Sequence, residues 1–316
     1  MMPKSRLARL APATVVLCVA ALTGASGMGC KKLITAAADD PAAPSASASS
    51  KPAPHASASA SGSTSDESPT QITFKKKDPQ VGSTLTVSDD NSMSFELTKP
   101  KKTSGGSSDK AERKIEILGA EGRTINRVKL TYTEKAETSI DEGKETTKRP
   151  AVRGKSYVVE AGTNGKLVVN DESRSKLKAE ETDVITKDMA GTVGKPDKML
   201  SALPDVPLKV GDSANGLAEW IKDGLVEMGG QVEIKSTTVK LKEVKTDSKG
   251  RYGVFDVKSN LVMKQGAIEF KMDLSGTLEV RVDGRPQALT LAGPLDVRGG
   301  GAEGTGKLSV SRKMEY

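Results

Sequence analysis

Histidine occurs once in the 316 residues, at His55, and cysteine twice, at Cys18 and Cys30. The chain beyond Cys30 therefore has no thiol to form a disulfide, even in a compartment that permits one. His55 lies in low-complexity sequence, so a Cys/His zinc site and a Ser-His-Asp triad are both excluded from the folded part. Aromatics are scarce too: four Phe, four Tyr and one Trp. None is interleaved with a basic cluster as a stacking platform for bases, which excludes nucleic acid as the expected partner. The first thirty residues contain no acid, and the longest apolar run is LAPATVVLCVAALTGASGMG at 10–29.

That run follows a start bearing Lys4, Arg6 and Arg9, and it ends at Cys30. A basic start, a short apolar segment and small residues before a cut describe a secretory signal rather than a folded element. Three readings compete. Small residues before a cysteine placed just past the run resemble a bacterial lipoprotein signal, and that resemblance makes lipidation at Cys30 the favoured reading. The second is an ordinary signal cut, near Ala25–Gly27 or at Ala36–Ala38. The third is an uncleaved anchor, opposed by Gly24, Ser26, Gly27 and Gly29 in a run only just long enough to span. Cys18, inside the run, reads as a small apolar filler.

Removing the signal changes the charge. Three of the 48 basic residues precede Cys30, leaving 45 against 41 acids and a net charge of +4. Clusters such as Lys75-Lys76-Lys77 and Lys99, Lys101, Lys102 read as solvated strand ends and loops. Residues 30–70 are rich in Ala, Ser and Pro and have almost nothing to bury, so they form a disordered tether. Forty such residues reach on the order of 35 Å.

From Gln71 the spacing becomes strand-like. Ile72 and Phe74, Leu85 and Val87, and Met93, Phe95 and Leu97 alternate with polar residues, as on a half-buried strand. Asp89-Asp90-Asn91 reads as a turn between two of these strands, and KPKKTSGGSSDKAE (99–112) as a mobile loop. Ile115 and Ile117 continue the alternation, then Val128, Leu130 and Tyr132 beyond a turn at Gly122. Asn164-Gly165 predicts a tight hairpin turn between Tyr157–Glu160 and Lys166–Asn170. A meander closes the chain. One of its strands, Ile268–Val282, keeps one phase except at Gly276 and predicts a length of roughly 50 Å, far longer than usual and enough to coil strongly. A phase switch between Ile234 and Val239 predicts a bulge.

Helical spacing interrupts the strands at 173–230. Leu177, Val184, Ile185 and Met189 form one stripe, starting near Ser173, and Pro196 suits the first turn of a short helix through Leu200. LPDVPLKVGDS (203–213) is extended, because each proline pushes the residue before it out of the helical region. A further helix over Ala214–Met228 carries Leu217, Trp220, Ile221, Leu225 and Met228, and Trp220 reads first as a core anchor.

Most catalytic motifs fail on context. Gly299, Gly301 and Gly304 match G-x-G-x-x-G, and 301–307 almost matches a P-loop, but Leu308 follows the lysine and no helix follows to bind phosphate. A glycine-rich hairpin loop is expected there. Ser107/Lys110, Ser173/Lys176 and Ser175/Lys178 match Ser-x-x-Lys without the companion motifs of a serine acylase. Acid pairs such as Glu180-Glu181 and Asp89-Asp90 serve a glycosidase only across a sugar cleft, which nothing in the sequence supplies.

Small residues directly before Cys30 make the start resemble a bacterial lipoprotein signal, with Gly29 in place and Gly27 where a Leu is usual. The resemblance implies an exported protein whose Cys30 is lipidated, attached to the outer membrane since Lys31 is not the Asp that retains such proteins at the inner one. The order of strands, helices and strands also resembles lipoprotein carriers and lipid-binding lipoproteins with a curved sheet. LP-x-x-P-x-x-VGD at 203–212 is similar to uncharacterised secreted lipoproteins. The expected architecture is therefore mainly β (α+β): a signal at 1–29, a tether at 30–70 and a β-rich domain at 71–316. That domain divides into strands at 71–172, helices at 173–230 and a meander at 231–316. It forms a large, strongly curved antiparallel sheet or unclosed barrel with two or three helices inserted mid-chain. The expected function is that of a non-enzymatic envelope binding or scaffold protein, without metal or cofactor, partnered by an envelope protein. A carrier of lipid or another apolar ligand is the alternative, with Leu217, Trp220, Ile221, Phe270 and Met272 facing the ligand. A carboxylate-dependent hydrolase comes third.

Overall fold

Eight strands run for 14 to 19 residues each, far longer than average, most of them on alternating apolar and polar positions. The computed structural model describes residues 69–172, 177–226 and 231–316. The signal, Cys30, His55 and the tether lie outside the described residues, as do 173–176, 227–230 and the Asn164 side chain. All described residues fall in one compact unit. In chain order the elements are β1 (Gln71–Ile72), β2 (Thr84–Lys99), β3 (Thr103–Glu121), β4 (Thr124–Asp141), β5 (Lys144–Lys148), β6 (Ser156–Ala161) and β7 (Leu167–Asp171). Next come α1 (Ala179–Met189), α2 (Lys198–Ala202), β8 (Leu208–Lys209) and α3 (Asn215–Val226). The meander follows as β9 (Gln231–Asp247), β10 (Gly250–Gln265), β11 (Ile268–Arg281), β12 (Pro286–Gly299) and β13 (Ala302–Glu315).

Eleven strands form one antiparallel sheet in the order β7-β6-β4-β3-β2-β13-β12-β11-β10-β9, with β5 paired to the far half of β4. The path ends at β7 and β9 without joining them, so the sheet is not closed. β1 and β8 make a separate pair. Register carries inner-face residues across the sheet in rows. One row runs Leu97, Gly304, Val297, Phe270, Met263, Val232, and the next runs Phe95, Gly306, Leu295, Met272, Leu261, Ile234. Apolar side chains fill most of both rows, and their burial is the main favourable term in folding.

Helices cover this face at two places. Ile185 and Met189 of α1 pack with Val128, Leu130, Tyr157 and Val159 in one apolar cluster. Leu200 and Leu203 near α2, and Leu217, Ile221 and Leu225 of α3, pack with Phe255, Leu278 and Val280 in the other. The LP-x-x-P-x-x-VGD segment links them to the sheet: Leu208 is buried opposite Ile72, and Gly211 and Ala214 donate to the Leu241 and Val239 carbonyls on the outer edge of β9. Gly224 in α3 has nothing within 4 Å of where a Cβ would stand. Gly224→Ala should therefore raise stability by about 0.8 kcal/mol, read as a shift in the urea midpoint.

Three glycines on the inner face form a diagonal, moving one strand over and one row on each time: Gly276 in β11, Gly293 in β12 and Gly306 in β13. A Cβ at these positions would fall 1.8 Å from the Thr290 carbonyl oxygen, 1.9 Å from that of Asp273 and 2.1 Å from that of Ser94. Neighbouring strands thus close in on the concave side until no side chain fits. Glycine bends of this kind are how large sheets acquire curvature.

Four expectations need correction. Asp89-Asp90-Asn91 is not a turn: β2 runs straight through it, with Asp89 opposite Ala111 and Asn91 opposite Asp109. Residues 103–112 are not a loop but the first half of β3, bonded to β2 on one side and β4 on the other. Ladders on both sides outweigh a polar, glycine-rich composition, and the Phe95 ring lies over Gly105, 2.5 Å from where a Cβ would stand. The first helix starts at Ala179, leaving Leu177 of the expected stripe outside it, because Glu181 turns back to accept the Lys178 N–H; the expected start near Ser173 lies outside the described residues. The Asn164-Gly165 hairpin is present, but Thr163–Gly165 turns as a 3₁₀ segment with only its last residue at positive φ, +70°. Two other expectations hold. The β9 register shifts between Ile234 and Ser236, the bulge read from its phase, and Gly300-Gly301 makes the β12–β13 hairpin turn, both at positive φ.

Candidate functional site

Followed along β2, the inner face passes from Val87 in one apolar cluster, through Asp89 and Asn91, to Met93 in the other. On β3 it passes from Ile115 through Arg113, Ala111 and Asp109 to Ser107, and on β4 from Tyr132 to Lys135. A buried belt of polar side chains therefore lies between the two clusters. Asp89, Asn91, Asp109, Arg113 and Lys135 are each 4% exposed or less. Burying charge without partners is expensive, so the belt has to pair internally.

Arg113 is the centre of that pairing. Its Nη2 donates to Asp89 Oδ2 at 2.5 Å, and its Nη1 lies 2.8 Å from Asp188 Oδ2. Asp188 sits in the last turn of α1, where the helix dipole disfavours an acid. It is held there by Arg113 and by the Tyr132 hydroxyl, which donates to Oδ2 at 2.8 Å. Arg312, opposite on β13, donates to Asp89 Oδ1 at 2.6 Å. Lys135 donates to both Asp109 oxygens, at 2.9 and 3.2 Å. Burial alone would lower the Arg113 pKa, but Asp188 and Asp89 hold it above its ordinary value. Lys135 behaves alike: burial opposes its charge, and Asp188 and Asp109 more than restore it. Burial first, then Asp188, pushes the Tyr132 hydroxyl up, so it stays a donor. The three carboxylates of Asp89, Asp109 and Asp188 thus face the three cations of Arg113, Lys135 and Arg312.

Two members have no such match. Asn91 Nδ2 and Ser107 Oγ are buried with no hydrogen-bond partner. Leaving a buried donor unmatched carries its full desolvation cost, so native cores rarely do so. Asn91 faces Asp109 across β2–β3 and Ser107 faces Met93, which makes the two side chains diagonal neighbours on the inner face. Lys110, the partner of Ser107 in the Ser-x-x-Lys spacing, points to solvent and pairs with Asp90 at 3.2 Å. A strand places residues three apart on opposite faces, so the two are not a nucleophile and its base.

A smaller polar group borders the belt at α1. Glu181 accepts from Lys155 Nζ at 2.5 Å, from the Tyr157 hydroxyl at 3.0 Å and from the Lys178 N–H at 3.1 Å. The Lys155 bond, with lesser help from Lys178 and Tyr157 and against the effect of burial, holds its carboxyl below the usual carboxylate range. A depressed acid stabilises the fold above its unfolded pKa and loses that effect as pH falls through the folded one. Glu181→Gln should lower the urea midpoint at pH 7, and the gap to the parent protein should narrow between about pH 5 and 3.

The five residues expected to face an apolar ligand come together. Leu217, Ile221, Phe270 and Met272 are each 4% exposed or less within one cluster, and Trp220 packs partly buried against it. Cys30 lies outside the described residues. A depression reaching Met272 and Leu261 is walled mainly by Glu233, Lys235, Lys264 and Glu269, already paired as Lys235–Glu233 and Lys264–Glu269. Among the described residues no His, Cys, Asp and Glu group is arranged to hold a metal, and no helix is long and apolar enough to cross a membrane.

Fold and site together define an open, long-stranded antiparallel sheet whose concave face is apolar around a charge-balanced belt. No protein-family model and no curated protein matches the chain. Among solved structures it is similar to lipovitellin, in a structure described for its lipid–protein interactions. The identity is 9% and the TM-score 0.35, over 75% of this chain and 25% of that one. The chain thus spans about a quarter of the lipovitellin chain it matches. It is also similar to DynF from the dynemicin biosynthesis pathway of Micromonospora chersina, at 8% identity and TM-score 0.19 over 77% and 83% of the two chains. A DUF1329 family protein from Desulfovibrio piger matches at 7% identity and TM-score 0.10, over 73% and 85%. These likenesses are too distant to carry any conclusion about this chain.

Proposed function

We propose that the chain is a non-enzymatic binding protein of the cell envelope, held at a membrane by a lipid on Cys30, and that it binds an apolar or amphipathic ligand on the concave face of its sheet. The observation that carries this reading is the open sheet itself: the strand path ends at β7 and β9, yet the face between them is apolar row after row. A face of that extent must pack on other elements or hold something apolar. Leu217, Ile221, Phe270 and Met272 are packed in one buried cluster with Trp220 against it, as a structural scaffold would also have them, so the ligand reading rests on the open sheet. The basic start, short apolar run and Gly29-Cys30 support export and anchoring. Against catalysis stands the pairing of every belt carboxylate with a cation.

The test is native mass spectrometry of the full chain, exported in a bacterium and released from its membranes, with lipid extraction of the same sample. One bound lipid per chain supports the reading. A folded chain that is ligand-free with no delipidation in its history rejects it in favour of a scaffold for another envelope protein. Incorporation of labelled palmitate, abolished by Cys30→Ser, checks the anchor.

A further inference from the structure

We infer that the ligand of the concave face is an acyl lipid with a neutral hydrogen-bonding group, an ester carbonyl or a hydroxyl, which Asn91 and Ser107 recognise inside the belt. This rests on the concave-face reading above and adds the class of head group. Asn91 Nδ2 and Ser107 Oγ are unpartnered although Asn91 is 1% and Ser107 5% exposed. Every charged neighbour is already engaged: Asp109 by Lys135, and Asp89 and Asp188 by Arg113. A ligand bearing net charge would upset three carboxylates balanced by three cations, at the high cost of an unpaired buried charge. A neutral acceptor or hydroxyl satisfies the two open groups and leaves that balance intact. Apolar residues flank the pair along β2, Val87 on one side and Met93 on the other, each in a different cluster. An acyl chain leaving the polar group in either direction thus runs among apolar side chains, which are buried in the ligand-free fold. Recognition of this kind is selective because a ligand lacking the polar group leaves the buried donors open.

The full lipidated chain in nanodiscs would be photolabelled with two probes of equal length, a 1-monoacylglycerol with a terminal diazirine and a diazirine hydrocarbon. Labelled peptides are located by mass spectrometry. The parent protein should be labelled on concave-face peptides by both probes. Asn91→Val/Ser107→Ala should cut monoacylglycerol labelling about tenfold, the worth of two neutral hydrogen bonds, and leave hydrocarbon labelling unchanged. The double variant loses two unsatisfied groups, so its urea midpoint should equal or exceed that of the parent protein, which separates lost recognition from lost folding. If the variant takes up both probes as the parent protein does, the two groups serve only ordered water and the head-group inference is overturned, with the concave-face reading intact. If the parent protein takes up the hydrocarbon alone, the outcome is the same. If neither probe labels concave-face peptides, the concave-face reading itself falls and takes the inference with it.

Discussion

Arg113→Met lowers the stability of the protein by about 3–5 kcal/mol, the cost of breaking a buried ion pair by removing one partner. The magnitude follows from what is left behind. Asp89 and Asp188 both lose the guanidinium that lies within 3 Å of them, and Asp188 is left with the Tyr132 hydroxyl and the charge of Lys135. A single domain is stable by about 5–15 kcal/mol in total, so the change removes a large share. The deficit should narrow at acid pH. Protonation of an acid that has lost its guanidinium removes the uncompensated buried charge, so part of the loss is relieved as pH falls. Arg113→Met/Asp89→Leu/Asp188→Leu should recover much of the loss, since replacing a whole buried network by apolar residues is often neutral. Urea denaturation at pH 7 and pH 4 checks all three statements. A single-variant loss below about 1 kcal/mol would mean that the belt is solvated and not a buried network.

Gly276→Ala costs about 3 kcal/mol or more, a large effect for one methyl group. The added carbon would sit 1.8 Å from the Thr290 carbonyl oxygen of β12, so β11 and β12 would have to separate where their ladder crosses the diagonal. Gly293→Ala should behave in the same way against the Asp273 carbonyl. Gly224→Ala, the same chemical change in open space, is expected to stabilise. Opposite signs for Gly276→Ala and Gly224→Ala in one set of thermal melts would establish close backbone approach, rather than glycine content, as the cause. Equal small effects would mean that the sheet is flatter than described.

The two expected effects show where sequence reading succeeds and where it stops. Gly276 was visible because it interrupts an otherwise unbroken phase in Ile268–Val282, and the structure gives the interruption its reason. That Leu217 and Ile221 of α3 and Phe270 and Met272 of β11 turn to one apolar side was visible through helical and strand periods in the same way. Asp89 was misread because acidic and amide residues in a row usually mark a turn. The phase told otherwise: Leu85, Val87, Asp89, Asn91, Met93, Phe95 and Leu97 all share one parity, and reading through the acids would have placed a carboxylate in the interior. Residues 103–110 carried no apolar signal at all. Their strand exists because β2 and β4 bond to both of its sides, and such long-range pairing leaves no local trace. Arg312, some 220 positions from Asp89, was out of reach for the same reason.

The chain enters its folded part through β1, a strand of two residues paired only with β8. Lys75 and Lys77 then bond to the carbonyls of Val282 and Asp283 at the β11–β12 turn. A load transmitted along the preceding segment, such as a surface drifting away while the sheet is held by a bound partner, meets this corner first. The β1–β8 clasp would yield like a zip, a few bonds at a time, before strain reached the long strands and the ionic belt between them. If the chain is anchored through Cys30 as proposed, this corner is the part of the described fold that takes the load first.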